Sequence, residues 1–171
     1  MRILAFLSFA ASLAAQGLPP VPVPPENPIT PQKAILGKLL FWEEQMSANN
    51  RVACGTCHTF AAGGGDLRRA PHPGNDGITP SPDDSFGSPG ITRSDANNDY
   101  LPDPVFRLNT QITKRASPSM LTAAWFPNVF WDGRAAGQFV DPDTGVVLIP
   151  TGGALENQAL APILSSSEMG H

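Results

Sequence analysis

Cysteine is scarce in this chain: 171 residues hold two, Cys54 and Cys57. That count excludes a disulfide framework, and it excludes a structural zinc site built from two separate cysteine pairs. Long apolar runs are equally scarce. The one sustained run, Ile3 to Leu13, falls short of the roughly 20 residues that a spanning helix needs, so no membrane span is predicted. No cluster of basic residues occurs; 11 Lys and Arg stand against 15 Asp and Glu, for a net charge of −4. That balance argues against nucleic acid as a partner. It suits a basic protein partner without specifying one. What the chain has in excess is punctuation: 16 glycines and 19 prolines, which keep regular elements short and loops long.

Against that background one stretch carries chemistry, Cys54-Gly55-Thr56-Cys57-His58. Cys-x-x-Cys-His is the attachment signature of a c-type haem. On one helical turn the three residues stand at i, i+3 and i+4 and project from one face. Two thiols can then add to the porphyrin vinyl groups while the imidazole offers a nitrogen to the iron. A redox disulfide and half of a zinc site are the other readings of this pair. Neither has its context, since no βαβ pattern surrounds the motif and no second ligand pair follows it. One covalent haem c is predicted, held by Cys54 and Cys57, with His58 as iron ligand.

Around the motif the chain divides readily. Arg2, the apolar run and Ala14-Ala15-Gln16-Gly17 read as a cleaved secretory signal peptide over residues 1–17, which predicts a periplasmic protein. Residues 18–29 are a proline-rich, polyproline-like leader, and residues 30–171 a single haem domain. Thr30 and Pro31 open a helix that runs to about Glu44. Its apolar stripe of Ile35, Leu36, Leu39 and Leu40 is expected to pack against the haem segment. From His58 to Arg115 the chain reads as loop, rich in Pro, Gly and Asp. A short helix is predicted over Ser119–Trp125, ended by Pro127, and a hairpin over Phe139–Gly153 with its strand at Val146–Ile149. Met120 and Met169 read as core filling.

Several blocks, in order, resemble the start of the bacterial di-haem cytochrome c peroxidases and their methylamine-utilisation relatives. They are Leu36-Gly37-Lys38-Leu39-Leu40-Phe41, Met46-Ser47, Ala53-Cys54-Gly55-Thr56-Cys57-His58 and Trp131-Asp132-Gly133-Arg134-Ala135. Leu155-Glu156-Asn157-Gln158-Ala159, Ala161-Pro162-Ile163 and Glu168-Met169 follow, and Arg115-Ala116-Ser117-Pro118-Ser119-Met120-Leu121 matches less tightly. The resemblance covers about residues 31 to 171. It implies a mostly α, cytochrome c-like haem domain with long irregular loops and little strand. It also implies an oxidoreductase, a peroxidase that reduces hydrogen peroxide with electrons from a small cytochrome c or cupredoxin, and it is compatible with a homodimer. Because the family carries two haems and this chain one attachment motif, a second haem domain is expected beyond His171.

Residue by residue, the resemblance makes Gln158 and Glu168 the distal-pocket pair, with Glu168 moving the peroxide proton. Trp131 corresponds to the tryptophan between the two haems. Asp132 and Arg134 either fix their turn or meet a haem propionate. His72 falls where the family can place a distal histidine; it is read either as an exchangeable sixth ligand of the iron or as an exposed loop histidine. The family's calcium-binding asparagine corresponds to Ala116 here, and the Asp/Asn-rich segment lacks ordered calcium-loop spacing, so calcium is doubtful. The reading from another class is a mono-haem electron-transfer cytochrome with Met169 as its late methionine ligand. An oxidase acting on a protein or an organic substrate shares the same half-sequence.

Overall fold

The computed structural model describes residues 17–170; the predicted signal peptide, Gly17 apart, lies outside them. Helix α1 (Pro31–Phe41) begins as its sequence dictates, with Thr30 extended and its hydroxyl accepting the Lys33 amide at 3.2 Å. It stops three residues short of the predicted end, and the chain re-forms a 3₁₀ turn at Glu44–Met46 under a Glu43 side-chain cap. The expected burial of its stripe is not met: Ile35, Leu36, Leu39 and Leu40 are all exposed. What α1 gives the haem segment is its C-terminal end, where the Trp42 ring packs on Gly55.

The approach to the motif is organised by Ser47, which is fully buried. Its hydroxyl donates to the Glu44 carbonyl at 2.8 Å and accepts the amides of Arg51 and Val52 at 3.1 and 3.0 Å. Those bonds turn the chain into α2 (Cys54–Cys57), a single helical turn. Its first residues are steadied by the Thr56 hydroxyl, which accepts the Ala53 amide at 2.9 Å.

Beyond α2 the loop is interrupted by a small antiparallel pair, β1 (Ala70–His72) with β2 (Ser85–Gly87). The predicted helix at Ser119–Trp125 shrinks to one 3₁₀ turn, Ala123–Trp125. The reason is competition. The Met120 amide donates to the Gly64 carbonyl at 3.1 Å and the Ser119 hydroxyl to the Gly63 carbonyl at 2.6 Å, which holds this stretch against the glycine loop. The hairpin is as predicted, β3 (Phe139–Val140) pairing with β4 (Val147–Ile149). Its turn is pinned by Asp141, whose carboxylate accepts the amides of Asp143 and Thr144, and closed by Gly145 at φ +72°.

Helix α3 (Ala154–Leu164) follows, and the chain then folds back through Ser165–Gly170. This tail completes the core. Met169 is 2 % exposed and packs with Ala48, Val52 and Ile91, while its carbonyl accepts the Ala48 amide at 2.8 Å. Gln111 adds a 2.6 Å bond from its amide to the Ser166 carbonyl. The proline-rich leader is laid down along the domain: the Trp125 indole donates to the Pro19 carbonyl at 3.1 Å, and Asn27 donates to Glu156 at 2.8 Å.

"Mostly α" needs correction. The described residues hold three α-helices, isolated 3₁₀ turns and two two-stranded sheets, joined by irregular backbone. Strand is as sparse as expected, but helix is sparse too, because proline and glycine recur too often for the chain to propagate one. No helix among the described residues is long and apolar enough to cross a membrane.

Candidate functional site

Helix α2 brings Cys54, Cys57 and His58 together on one turn, with the His58 amide bonded back to the Cys54 carbonyl at 3.0 Å. Both cysteines are free and half-buried. Burial pushes both thiols above their ordinary range, with the Arg68 guanidinium opposing the shift at Cys57.

His58 is the most informative side chain of the site. Its Nδ1 lies 2.9 Å from the Gly64 carbonyl oxygen. A carbonyl only accepts, so Nδ1 carries a proton, and in the neutral ring Nε2 is then the nitrogen with the lone pair. That is the tautomer an iron ligand needs, and the carbonyl also fixes the ring plane. Gly64 is positioned by a tight loop in which its amide donates to the Thr59 carbonyl at 2.8 Å and the Thr59 amide to the Gly65 carbonyl at 2.9 Å. Gly64 sits at φ +85°, where an L side chain is strained. The sequence hint for this carbonyl was the Gly63-Gly64-Gly65 run just after the motif.

A second contact escaped the sequence reading. The Arg68 guanidinium places Nη2 3.2 Å from the Cys57 sulfur and is held by both oxygens of Asp66, at 3.0 and 2.8 Å. Burial alone would raise the Asp66 carboxyl, but the Arg68 bonds outweigh it and keep the group below the usual carboxylate range.

The remaining candidates are dispersed. Glu168 lies in the folded-back tail, close enough for its charge to help raise the Cys57 thiol, and Met169 anchors that tail in the core. Gln158 lies half-buried on α3. Pro162, four residues on, has no N–H, so the Gln158 carbonyl lacks its ordinary helical donor. Asn157 ties α3 to the carbonyls of Ala136 and Gln138. Trp131 is 77 % exposed, with the Arg115 guanidinium 4.6 Å above its ring. Asp132 and Arg134 form an ion pair at 3.0 Å inside their turn, and Arg134 also covers Phe130 at 3.6 Å.

His72 is not an exposed loop residue: it ends β1, is 8 % exposed and meets Phe106 edge-to-face at 5.4 Å. Its Nδ1 accepts the Gly74 amide at 3.1 Å, which puts the ring proton on Nε2. The acidic and amide side chains of the loops are used locally, with Asp95 accepting the amides of Asn97 and Asp99 and Asp83 that of Asn75. Among the described residues no three His, Cys, Asp or Glu side chains gather in a metal-binding cluster.

With that geometry in place, comparison with known proteins is direct. The family profile described as "Di-haem cytochrome c peroxidase" matches residues 31–171. A methylamine utilization protein MauG of Methylophilus methylotrophus is 28% identical over 176 aligned residues, covering 98% of this chain and 37% of the relative. The MauG of Methylorubrum extorquens is 30% identical over 149 residues, 87% of this chain and 28% of its own length. A cytochrome-c peroxidase IdrP1 of Denitromonas iodatirespirans is 51% identical over 49 residues, which cover 29% of this chain and 13% of the relative. The chain thus spans well under half the length of these curated relatives.

Proposed function

The chain belongs to the di-haem cytochrome c peroxidase family, and from that premise we propose that it is the haem-binding, peroxide-reducing domain of a periplasmic di-haem enzyme. The observation that carries the reading is the 2.9 Å contact between His58 Nδ1 and the Gly64 carbonyl, one residue from a half-buried pair of free thiols. That set fits haem c: two free thiols at the i and i+3 positions, and an imidazole whose Nδ1 is engaged, leaving Nε2 for the iron. A core of few large side chains, with many large apolar residues left exposed, fits a domain completed by an apolar cofactor.

When bound, haem supplies the redox chemistry for cleaving the O–O bond. The chain's residues do the rest. Cys54 and Cys57 would hold the porphyrin, each adding its S–H across a vinyl C=C so that sulfur takes one carbon and hydrogen the other, and His58 would hold the iron. Glu168 takes a proton from the inner peroxide oxygen and returns it to the departing one, and Gln158 orients the substrate through its amide. Two electrons and two further protons complete the conversion of peroxide to two waters. Electrons would come from a small redox protein, and Trp131, exposed on the surface, would assist their passage toward the haem held by this chain. The exposed faces of α1 and Trp131 are the surfaces the second haem domain would cover.

His72 would serve as a second, exchangeable protein ligand to the iron. Ligation by Nε2 would return the proton to Nδ1 and sacrifice the Gly74 bond, at a net cost of about 0.5–1.5 kcal/mol. The mono-haem carrier is the weaker reading, because Met169, its candidate ligand, is packed into the core with Ile91 and Ala48.

Glu168→Gln tests the assignment in the complete two-haem enzyme. Peroxide turnover should fall about 10²- to 10⁴-fold, the range for a positioned acid–base group, with haem content unchanged. Glu156→Gln is the control; it keeps an oxygen to accept from Asn27 and should leave turnover intact. Turnover crippled by Glu156→Gln and spared by Glu168→Gln would show that the assignment is wrong.

A further inference from the structure

We propose that Arg68, clamped by the buried Asp66, sets the reduction potential of the haem from the Cys57 side. The inference rests on the haem reading above and concerns residues that reading does not use. Once Cys57 is a thioether its sulfur is bonded to the edge of the porphyrin, so a group in contact with that sulfur stands at the ring. The Arg68 Nη2 is in contact, at 3.2 Å.

The arrangement is built to hold a charge in place. Asp66 has 1 % of its side chain exposed and receives Arg68 three times, from its backbone amide at 2.8 Å, from Nε at 3.0 Å and from Nη2 at 2.8 Å. A bidentate fork of this kind leaves the guanidinium little freedom to swing away. A long contact of 3.5 Å to the Pro89 carbonyl lies on the same nitrogen. Among the charged groups near the Cys57 sulfur are Arg68, Asp66 and Glu168, and Arg68 touches it.

The sign follows from the charges. Adding an electron makes the iron centre less positive, so a fixed cation at the ring edge favours the reduced state and a nearby carboxylate opposes it. Arg68 is partly open to solvent, which weakens its field without reversing it. A purely structural clamp behaves differently, because breaking it from either side loosens the same loop and moves the haem the same way.

The test is a redox titration of the full-length holoprotein, read at the haem attached through Cys54 and Cys57. Arg68→Gln should shift the midpoint to lower potential, and Arg68→Lys, which keeps the charge, should return it toward the wild-type value. Asp66→Asn should shift it to higher potential. Arg69→Gln, one residue along and exposed, should move it least. Shifts of the same sign in Arg68→Gln and Asp66→Asn overturn the proposal, and so does an Arg68→Gln shift no larger than that of Arg69→Gln. Where Asp66→Asn does not fold, the two Arg68 variants decide, since equal lowering by Gln and Lys contradicts a charge effect. A wild-type chain that takes up no covalent haem overturns the function proposed above together with this inference, whereas wrong signs in a haem-loaded protein overturn this inference alone.

Discussion

Replacing Gly64 with alanine acts on the carbonyl that sets the His58 tautomer. The residue sits at φ +85°, where a side chain costs about 1–2 kcal/mol. The added methyl would also come within 3.0 Å of Leu121 Cγ and of the Met120 amide nitrogen, so the loop must shift and carry its carbonyl with it. Loss of the His58 bond removes about 0.5–1.5 kcal/mol more. The sum, about 1.5–3.5 kcal/mol, corresponds to a Tm lowered by about 3–14 °C in a chain of this size. Gly63→Ala is the matched control: φ is +62°, but nothing lies within 4 Å of the new methyl, so only the backbone part of the cost applies. Thermal unfolding of the two holoproteins should therefore separate them, with Gly64→Ala the less stable. The potential gives an independent readout. A weakened Nδ1–H bond makes His58 a poorer electron donor to the iron, so Gly64→Ala should raise the midpoint while Gly63→Ala leaves it in place. Equal Tm values and equal potentials for the two variants would refute the reasoning.

Two further outcomes are expected. His72→Gly should convert a low-spin ferric spectrum to a high-spin one and speed the reaction with peroxide; coincident spectra would remove His72 from the iron. Met169→Ala should lower stability by about 2–5 kcal/mol, as for other large-to-small core changes, and leave the iron spectrum of the folded protein unchanged. A spectral change with stability intact would favour the electron-carrier reading.

Legibility in the sequence followed locality. The start of α1 was readable because Thr30 and Pro31 act on their own turn, and the hairpin because Asp141 and Gly145 close it within five residues. The attachment motif was readable because three groups on one turn need no tertiary information. What stayed hidden depends on distant partners. His72 is buried because β1 pairs with β2 across a loop of Pro, Gly and Asp that shows no strand period. The helix expected at Ser119–Trp125 lost its first turn to the carbonyls of Gly63 and Gly64, more than fifty residues earlier. Burial of the α1 stripe was a reasonable expectation from periodicity, yet a period says only that a face is apolar and not what covers it. The Arg68–Asp66 clamp resembled two ordinary loop charges until its contact with Cys57 was seen.

The central claim is that Cys54, Cys57 and His58 hold one covalent haem, and the intact mass of the mature chain made with haem-maturation machinery tests it most directly. The account predicts the polypeptide mass plus one haem, retained through acid–acetone extraction, with most of that adduct lost in Cys57→Ser. A mass equal to the bare polypeptide, or haem that acid–acetone removes, would contradict it.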